Sequence, residues 1–230
     1  EIANKNINGD LQFSDIDVSF FTHFPSLTTS IHDVKLKGSA PFQDSTLIDV
    51  KEISLGIDLS SLFKDKIVLD KFIISEGNIN VLVDSTGAAN YNIYTSTDTA
   101  QDNEVNDNED SKIAFKLLKL KDINLHYQDA SIPLKMEAIN LDYEGRGDLT
   151  SSIFDLKTNA NIEAFTLIFD NEKYVDSKSI HAQLITKINT NNLSLVFEKN
   201  DIIINKLPVR FKGAFAFLTN GYHLDFKLKS

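Results

Sequence analysis

Five histidines, one run of carboxylates and a short Gly-x-Gly are the residues of this chain whose types invite chemistry. His23, His32, His126, His181 and His223 are scattered. No two stand at the His-Glu-x-x-His spacing that sets paired imidazoles on one helix face around zinc. His126 lies between Leu125 and Tyr127, so alternation turns it toward a polar face. Each histidine reads as a strand or loop residue rather than a ligand. Asp102, Glu104, Asp107, Glu109 and Asp110 have the composition of a calcium loop, but the central glycine and flanking helices of an EF-hand are missing. A solvated acidic loop accounts for them.

Gly145-Arg146-Gly147 follows a strand pattern, yet neither a third glycine nor a helix pattern comes after it. A turn explains it better than a dinucleotide site. The chain contains no nucleophile elbow and no phosphate-binding loop. Alternation sends most carboxylates to the solvent face, so no general acid–base pair stands out. The absence of cysteine removes disulfides, thiolate metal sites and a thiol nucleophile. These residues predict a protein that is not an enzyme and has no metal site and no cofactor.

The elements around them are strands. Ile53, Leu55, Ile57 and Leu59 alternate with polar or small residues, as do Ile79, Val81 and Val83, then Ile123, Leu125 and Tyr127. Period-two alternation marks strands with one face buried and one wet. Helical periodicity is nearly absent; the best candidate is a single turn at 60–65, capped by Ser60 or Ser61. Many segments hold two alternations separated by an extra residue, so that the phase flips midway. Leu11-Phe13-Ile16-Val18, Thr29-Ile31-Val34-Leu36, Ile48-Val50-Ile53-Leu55 and Ile67-Leu69-Phe72-Ile74 begin 18 or 19 residues apart. Leu118-Leu120-Ile123-Leu125 and Leu134-Met136-Ile139-Leu141 repeat the pattern. Two readings stand side by side. Bulges would keep the apolar side chains on one face and curl the sheet into a trough. Alternatively, each strand ends and restarts against another layer, as in a sandwich.

With 230 residues, 42% of them hydrophobic, the chain can build a real core. A net charge of −10 disfavours nucleic acid as a partner. No run approaches the roughly 18–20 apolar residues that span a bilayer. Nothing near Glu1 reads as a leader, so an anchor or signal is expected to lie outside these residues. Residues 96–112 carry six acidic residues and Val105 as their only large apolar side chain. They predict a mobile linker or loop between an N-terminal β region at 1–95 and a second β region at 113–230, which is either a separate domain or continuous with the first. The fold class is all-β: a curved, largely antiparallel sheet, open trough or sandwich, with at most short helical turns.

Specific segments also carry a resemblance. They run from Phe13-Ser14-Asp15-Ile16 through Phe24-Pro25-Ser26-Leu27 to Asp33-Val34-Lys35-Leu36-Lys37-Gly38. Leu47, Val50-Lys51-Glu52-Ile53-Ser54-Leu55, Asp58-Leu59-Ser60-Ser61-Leu62 and Lys66-Ile67-Val68-Leu69 follow. The series closes on Ile79-Asn80-Val81 and the turn Asp84 to Gly87-Ala88-Ala89-Asn90-Tyr91. In order and spacing, over about residues 11–94, these segments resemble the AsmA family of Gram-negative envelope proteins. The resemblance implies a protein anchored in the inner membrane by an N-terminal helix, with its bulk in the periplasm. It further implies a part in outer-membrane and envelope biogenesis, through sheets that fold around an apolar groove and shield or pass lipid acyl chains. Ile53, Leu55, Ile57, Ile79, Val81 and Val83 are the candidate groove residues. The alternative is a cell-surface β-sandwich module that binds a protein or glycan, which a cluster among Tyr91, Tyr94, Tyr174 and Tyr222 would favour.

Overall fold

The computed structural model describes residues 9–19, 26–59, 61, 67–93, 113–148, 151–192, 194–218 and 221–229. The strands are β1 (Leu11–Gln12), β2 (Asp15–Ser19), β3 (Ser26–Lys37), β4 (Thr46–Asp58) and β5 (Ile67–Val83). They continue as β6 (Ile113–Phe115), β7 (Leu117–Asp129), β8 (Leu134–Arg146) and β9 (Ile153–Phe169). The last are β10 (Glu172–Asn189), β11 (Ser194–Ile204), β12 (Leu207–Leu218) and β13 (Gly221–Lys229). The expected linker at 96–112 and nearly all of the expected turn at 60–65 lie outside the described residues.

All thirteen strands belong to one sheet, in the order β1-β3-β4-β5-β7-β8-β9-β10-β11-β12-β13. β2 pairs with β3 beside β1, and β6 pairs with β5 beside β7. Neighbours are antiparallel except where β6 and β7 run parallel to β5. That parallel seam joins the two β regions into a single sheet. The elements in substantial contact are hydrogen-bonded neighbours. Among the described residues the sheet is therefore one layer, open at both edges, and the sandwich reading fails.

The phase flips are left-handed bulges of the backbone that neighbouring strands share, so the register between β3 and β4, β4 and β5, and β8 and β9 passes them without a shift. Asp33, Glu76, Asp122, Asn140 and Ser177 sit inside strands with φ between 48° and 54°. Left-handed backbone is costly for most L-residues and least so for Asn and Asp, which explains the polar residue at each flip. The left-handed residue also frees a backbone N–H from the ladder, and a freed donor needs a partner. A side chain on the adjoining strand, or in the turn that follows it, supplies one. Asp122 N–H donates to Asp142 Oδ1 at 3.1 Å, and Asn140 N–H to Asn124 Oδ1 at 3.1 Å. Ser177 N–H donates to Thr166 Oγ1 at 3.2 Å, and Ser179 N–H to Asn205 Oδ1 at 2.9 Å. Beside the Glu76 bulge, Gly77 lets β4 close on β5: a Cβ there would lie 2.2 Å from the Asp49 carbonyl oxygen.

Two segments depart from the predicted pattern. Leu11 to Val18 is not one bulged strand but β1 and β2, separated at Phe13 and Ser14. In β8 the bulge falls at Asn140 rather than before Ile139, so Ala138 joins the apolar face and Ile139 turns to the other.

Candidate functional site: an apolar sheet face

Residues directly opposed in a ladder point to the same face, so the register maps each face. One line runs Ile31, Ile53, Ile74, Leu120, Tyr143, Ala160, Ala182, Ile202, Val209, from β3 to β12. A parallel line runs Val34, Val50, Gly77, Ile123, Leu141, Ile162, Ile180, Ile204, Leu207. Each crosses eight strand spacings, roughly 38 Å at about 4.8 Å apiece. In β3, β4, β5 and β7 the two lines stand three residues apart across the phase flip, which keeps both on one side; from β8 to β12 they stand two residues apart, so alternation alone does so. The opposite face reads Ser30, Ser54, Ile73, Lys119, Glu144, Asn159, Gln183, Asp201.

The apolar face is deepest near β3 to β7. Val34, Val50, Ile74 and Ile123 form its buried cluster, with Ile123 fully inaccessible. Leu11, Ile31, Ile48, Ile53, Phe72, Ile79 and Leu120 pack around them, partly buried. With no second layer among the described residues, this burial comes from neighbours crowding inward, as a curl toward the apolar side produces. Toward β11 to β13 the floor turns aromatic. The rings of Phe197, Phe211 and Phe226 have centroids 5.2 to 5.9 Å apart.

The six candidate residues lie on this face, but as two groups. Ile53, Leu55 and Ile57 oppose Ile74, Phe72 and Leu69. Ile79 opposes Ile48, and Val81 and Val83 extend past the end of β4 to face Tyr127 and Asp129 on β7. The antiparallel register puts the groups at opposite ends of the strands, so they do not face each other. Val83 is buried and the other five are half-buried. The Phe197, Phe211 and Phe226 cluster escaped the sequence reading. Its signal was the alternation of Leu195 with Phe197, Val209 with Phe211 and Leu224 with Phe226.

On the polar face the bulge row lines a shallow hollow of about 840 Å³, bordered by Glu76, Asp122, Asn140, Asp142, Glu163 and Asn205. Lys51 Nζ and Glu76 Oε2 pair there at 2.6 Å, which raises the lysine pKa and lowers that of the glutamate. Among the described residues no group of three or more His, Asp or Glu is placed to hold a metal ion.

Two aspartates brace the turns at one rim. Asp84 Oδ1 accepts from Thr86 Oγ1 at 2.6 Å, Thr86 N at 2.8 Å and Ala88 N at 3.0 Å. Asp129 accepts from Ser131 Oγ at 2.6 Å, Ser131 N at 2.9 Å and the Tyr127 hydroxyl at 3.0 Å. The Thr86 and Ser131 hydroxyls chiefly hold the two carboxyls below their ordinary value, against a smaller opposing effect of burial. A carboxyl with a lowered folded-state pKa stabilises fully above its unfolded value and loses that contribution as pH falls through the folded one. Melting temperature is therefore expected to hold steady from neutral pH down to the ordinary carboxylate range, then to fall below it. Asp129→Asn should flatten that acid limb in a melting series across pH.

The class the fold defines is an open, bulged, single-layer sheet with one polar and one apolar side. The chain belongs to the AsmA family, whose family model matches residues 1–196. The match extends well past the segments around 11–94 that carried the resemblance. No curated protein and no solved structure matches the chain.

Proposed function

We infer that this chain is a non-catalytic segment of a periplasmic, inner-membrane-anchored envelope protein, and that its apolar face shields lipid acyl chains during outer-membrane and envelope biogenesis. The observation that carries this reading is the pair of apolar lines crossing from β3 to β12 with no second layer over them among the described residues. The strip crosses roughly 38 Å of sheet at about 4.8 Å per strand, and Ile31, Ile53, Leu120, Ile162, Ile180, Ile202 and Ile204 along it stay half-buried. An acyl chain fits such a strip because it needs length and apolarity, not directional contacts. The membership in the AsmA family supports the envelope setting.

The surface-module alternative loses its support. It needs a sandwich, and it needs clustered aromatics. Tyr91, in the loop after β5, and Tyr174, in β10, are both exposed, but β5 and β10 are four strand spacings apart, roughly 19 Å, and Tyr94 lies outside the described residues.

Crosslinking with a photoactivatable fatty acyl probe tests the reading. Adducts on apolar-face residues are expected in the parent protein. Ile57→Asp and Val81→Asp replace half-buried side chains on that face. They should cost no more than about 1–2 kcal/mol in stability, since the new charge can reach water, while cutting adduct yield severely. Absence of adducts in the parent, together with global unfolding of both variants, would leave the face as an ordinary core.

A further inference from the structure

Gly145-Arg146-Gly147 forms the end of β8, not the turn its glycines suggest. Arg146 lies two residues from Glu144, so it stands on the polar face, and the register sets it directly beside Lys157 on β9. The same line crosses Ile185 on β10 and reaches Lys199 on β11. Gly147 permits the close approach of β9: a Cβ there would lie 2.9 Å from the Asp155 carbonyl oxygen. Arg146, Lys157 and Lys199 border a hollow of about 260 Å³, with the half-buried Ile185 between the two lysines.

Like charges set directly opposite on a sheet destabilise it, so folding gives no reason to place Arg146 beside Lys157 in a chain whose net charge is −10. Among the described residues Glu144 is the one carboxylate at the hollow, and it is already engaged. Arg146 Nε donates to Glu144 Oε1 at 2.7 Å, and Lys119 Nζ lies 4.0 Å from Oε2. With Nε held, the guanidinium keeps the N–H donors of its two terminal nitrogens for another acceptor. Among the described residues, neither those nitrogens nor the ammonium groups of Lys157 and Lys199 have a partner. The acids flanking Lys199 on β11 are tied elsewhere, Glu198 to Lys187 at 3.3 Å and Asp201 to Arg210 at 3.2 Å. Beyond β11 the same face stays basic, with Lys212 opposite Lys227.

We propose that this hollow is an oxyanion site for a phosphate group. The terminal nitrogens of Arg146 grip two phosphate oxygens as a fork, and Lys157 and Lys199 act as point charges around them. The phosphate is carried by a lipid headgroup or is free in solution; the chemistry at the hollow is the same. The site is on the polar face and does not depend on the acyl-chain reading.

Calorimetric titration with inorganic phosphate, at constant ionic strength because exposed charges are screened, tests the site. The parent protein is expected to bind it saturably. Lys157→Gln and Lys199→Gln should each weaken binding about two- to fivefold, and the double variant about tenfold. Lys135→Gln removes the same charge at the other end of β8 and should change nothing. All three lysines are exposed, so the variants should melt with the parent. Flotation with phosphatidylcholine vesicles that contain phosphatidic acid separates the two sources. Flotation of the parent that is lost in the double variant would assign the phosphate to a headgroup. Phosphate binding without flotation would assign it to a soluble ligand. No saturable phosphate binding by the parent, or equal weakening by Lys135→Gln and Lys157→Gln, would overturn the site. Neither of those results bears on adducts with the acyl probe.

Discussion

Ile123→Asp is expected to unfold the sheet. Ile123 is the one large apolar side chain among the described residues with no accessible surface. It occupies β7, where the parallel seam with β5 meets the antiparallel pair with β8, opposite Gly77 on one side and Leu141 on the other. A carboxylate there would be buried among Val34, Val50 and Ile74 with no cation beside it. The expected cost is about 4–5 kcal/mol, a large share of the roughly 5–15 kcal/mol that stabilises a domain. Urea titration followed by far-UV circular dichroism reads it directly. Contrast with Ile57→Asp gives the measurement its meaning: equal losses at both positions would mean that the face is uniformly closed to water.

Asn90→Ala is expected to cost about 3 kcal/mol, although it deletes only an amide. Past Thr46, β4 no longer accompanies β5, and the last stretch of β5 would leave its backbone groups bare on that side. Asn90 stands in for the missing strand: its Oδ1 accepts from Leu82 N at 3.0 Å, and its Nδ2 donates to the Asn80 carbonyl at 2.7 Å. Its own backbone donates to the Leu82 carbonyl at 2.9 Å and accepts from Ser39 N at 3.0 Å. The residue is fully buried, so alanine strands one donor and one acceptor, at about 1–3 kcal/mol each. Asn90→Asp sharpens the test. It keeps the acceptor for Leu82 N–H but sets a carboxylate against the Asn80 carbonyl, so it should melt no later than the alanine variant. Parent-like stability for Asn90→Asp would sink the strand-mimic account.

The strands, the phase flips and the all-β class were legible because alternation is a local pattern, carried by neighbours such as Ile53, Leu55 and Ile57. The bracing side chains were not, because Asp122 with Asp142 and Ser179 with Asn205 are brought together by register, some 20 to 26 residues apart in sequence. Ile139 misled for a related reason. Hydrophobicity favoured it over Ala138, but the left-handed residue at Asn140 decides which of the two faces inward. The parallel seam between β5 and β7 lies across the acidic stretch, where alternation says nothing about which strand comes alongside. Of the candidate site, alternation made it legible that the six residues share a face, while their diagonal separation depended on strand direction, which a period of two does not encode.

Because each strand, among the described residues, makes its substantial contacts with the strands beside it, this molecule is close to one-dimensional in its energetics. Its stability approximates a sum of nearest-neighbour terms, as in repeat proteins, so the number of strands is not fixed by the pairing itself. A β-hairpin inserted into the meander would lengthen the apolar strip by two strand spacings, roughly 9.6 Å, and leave every other interface as it was. Length is thus an adjustable dimension of the architecture, set hairpin by hairpin.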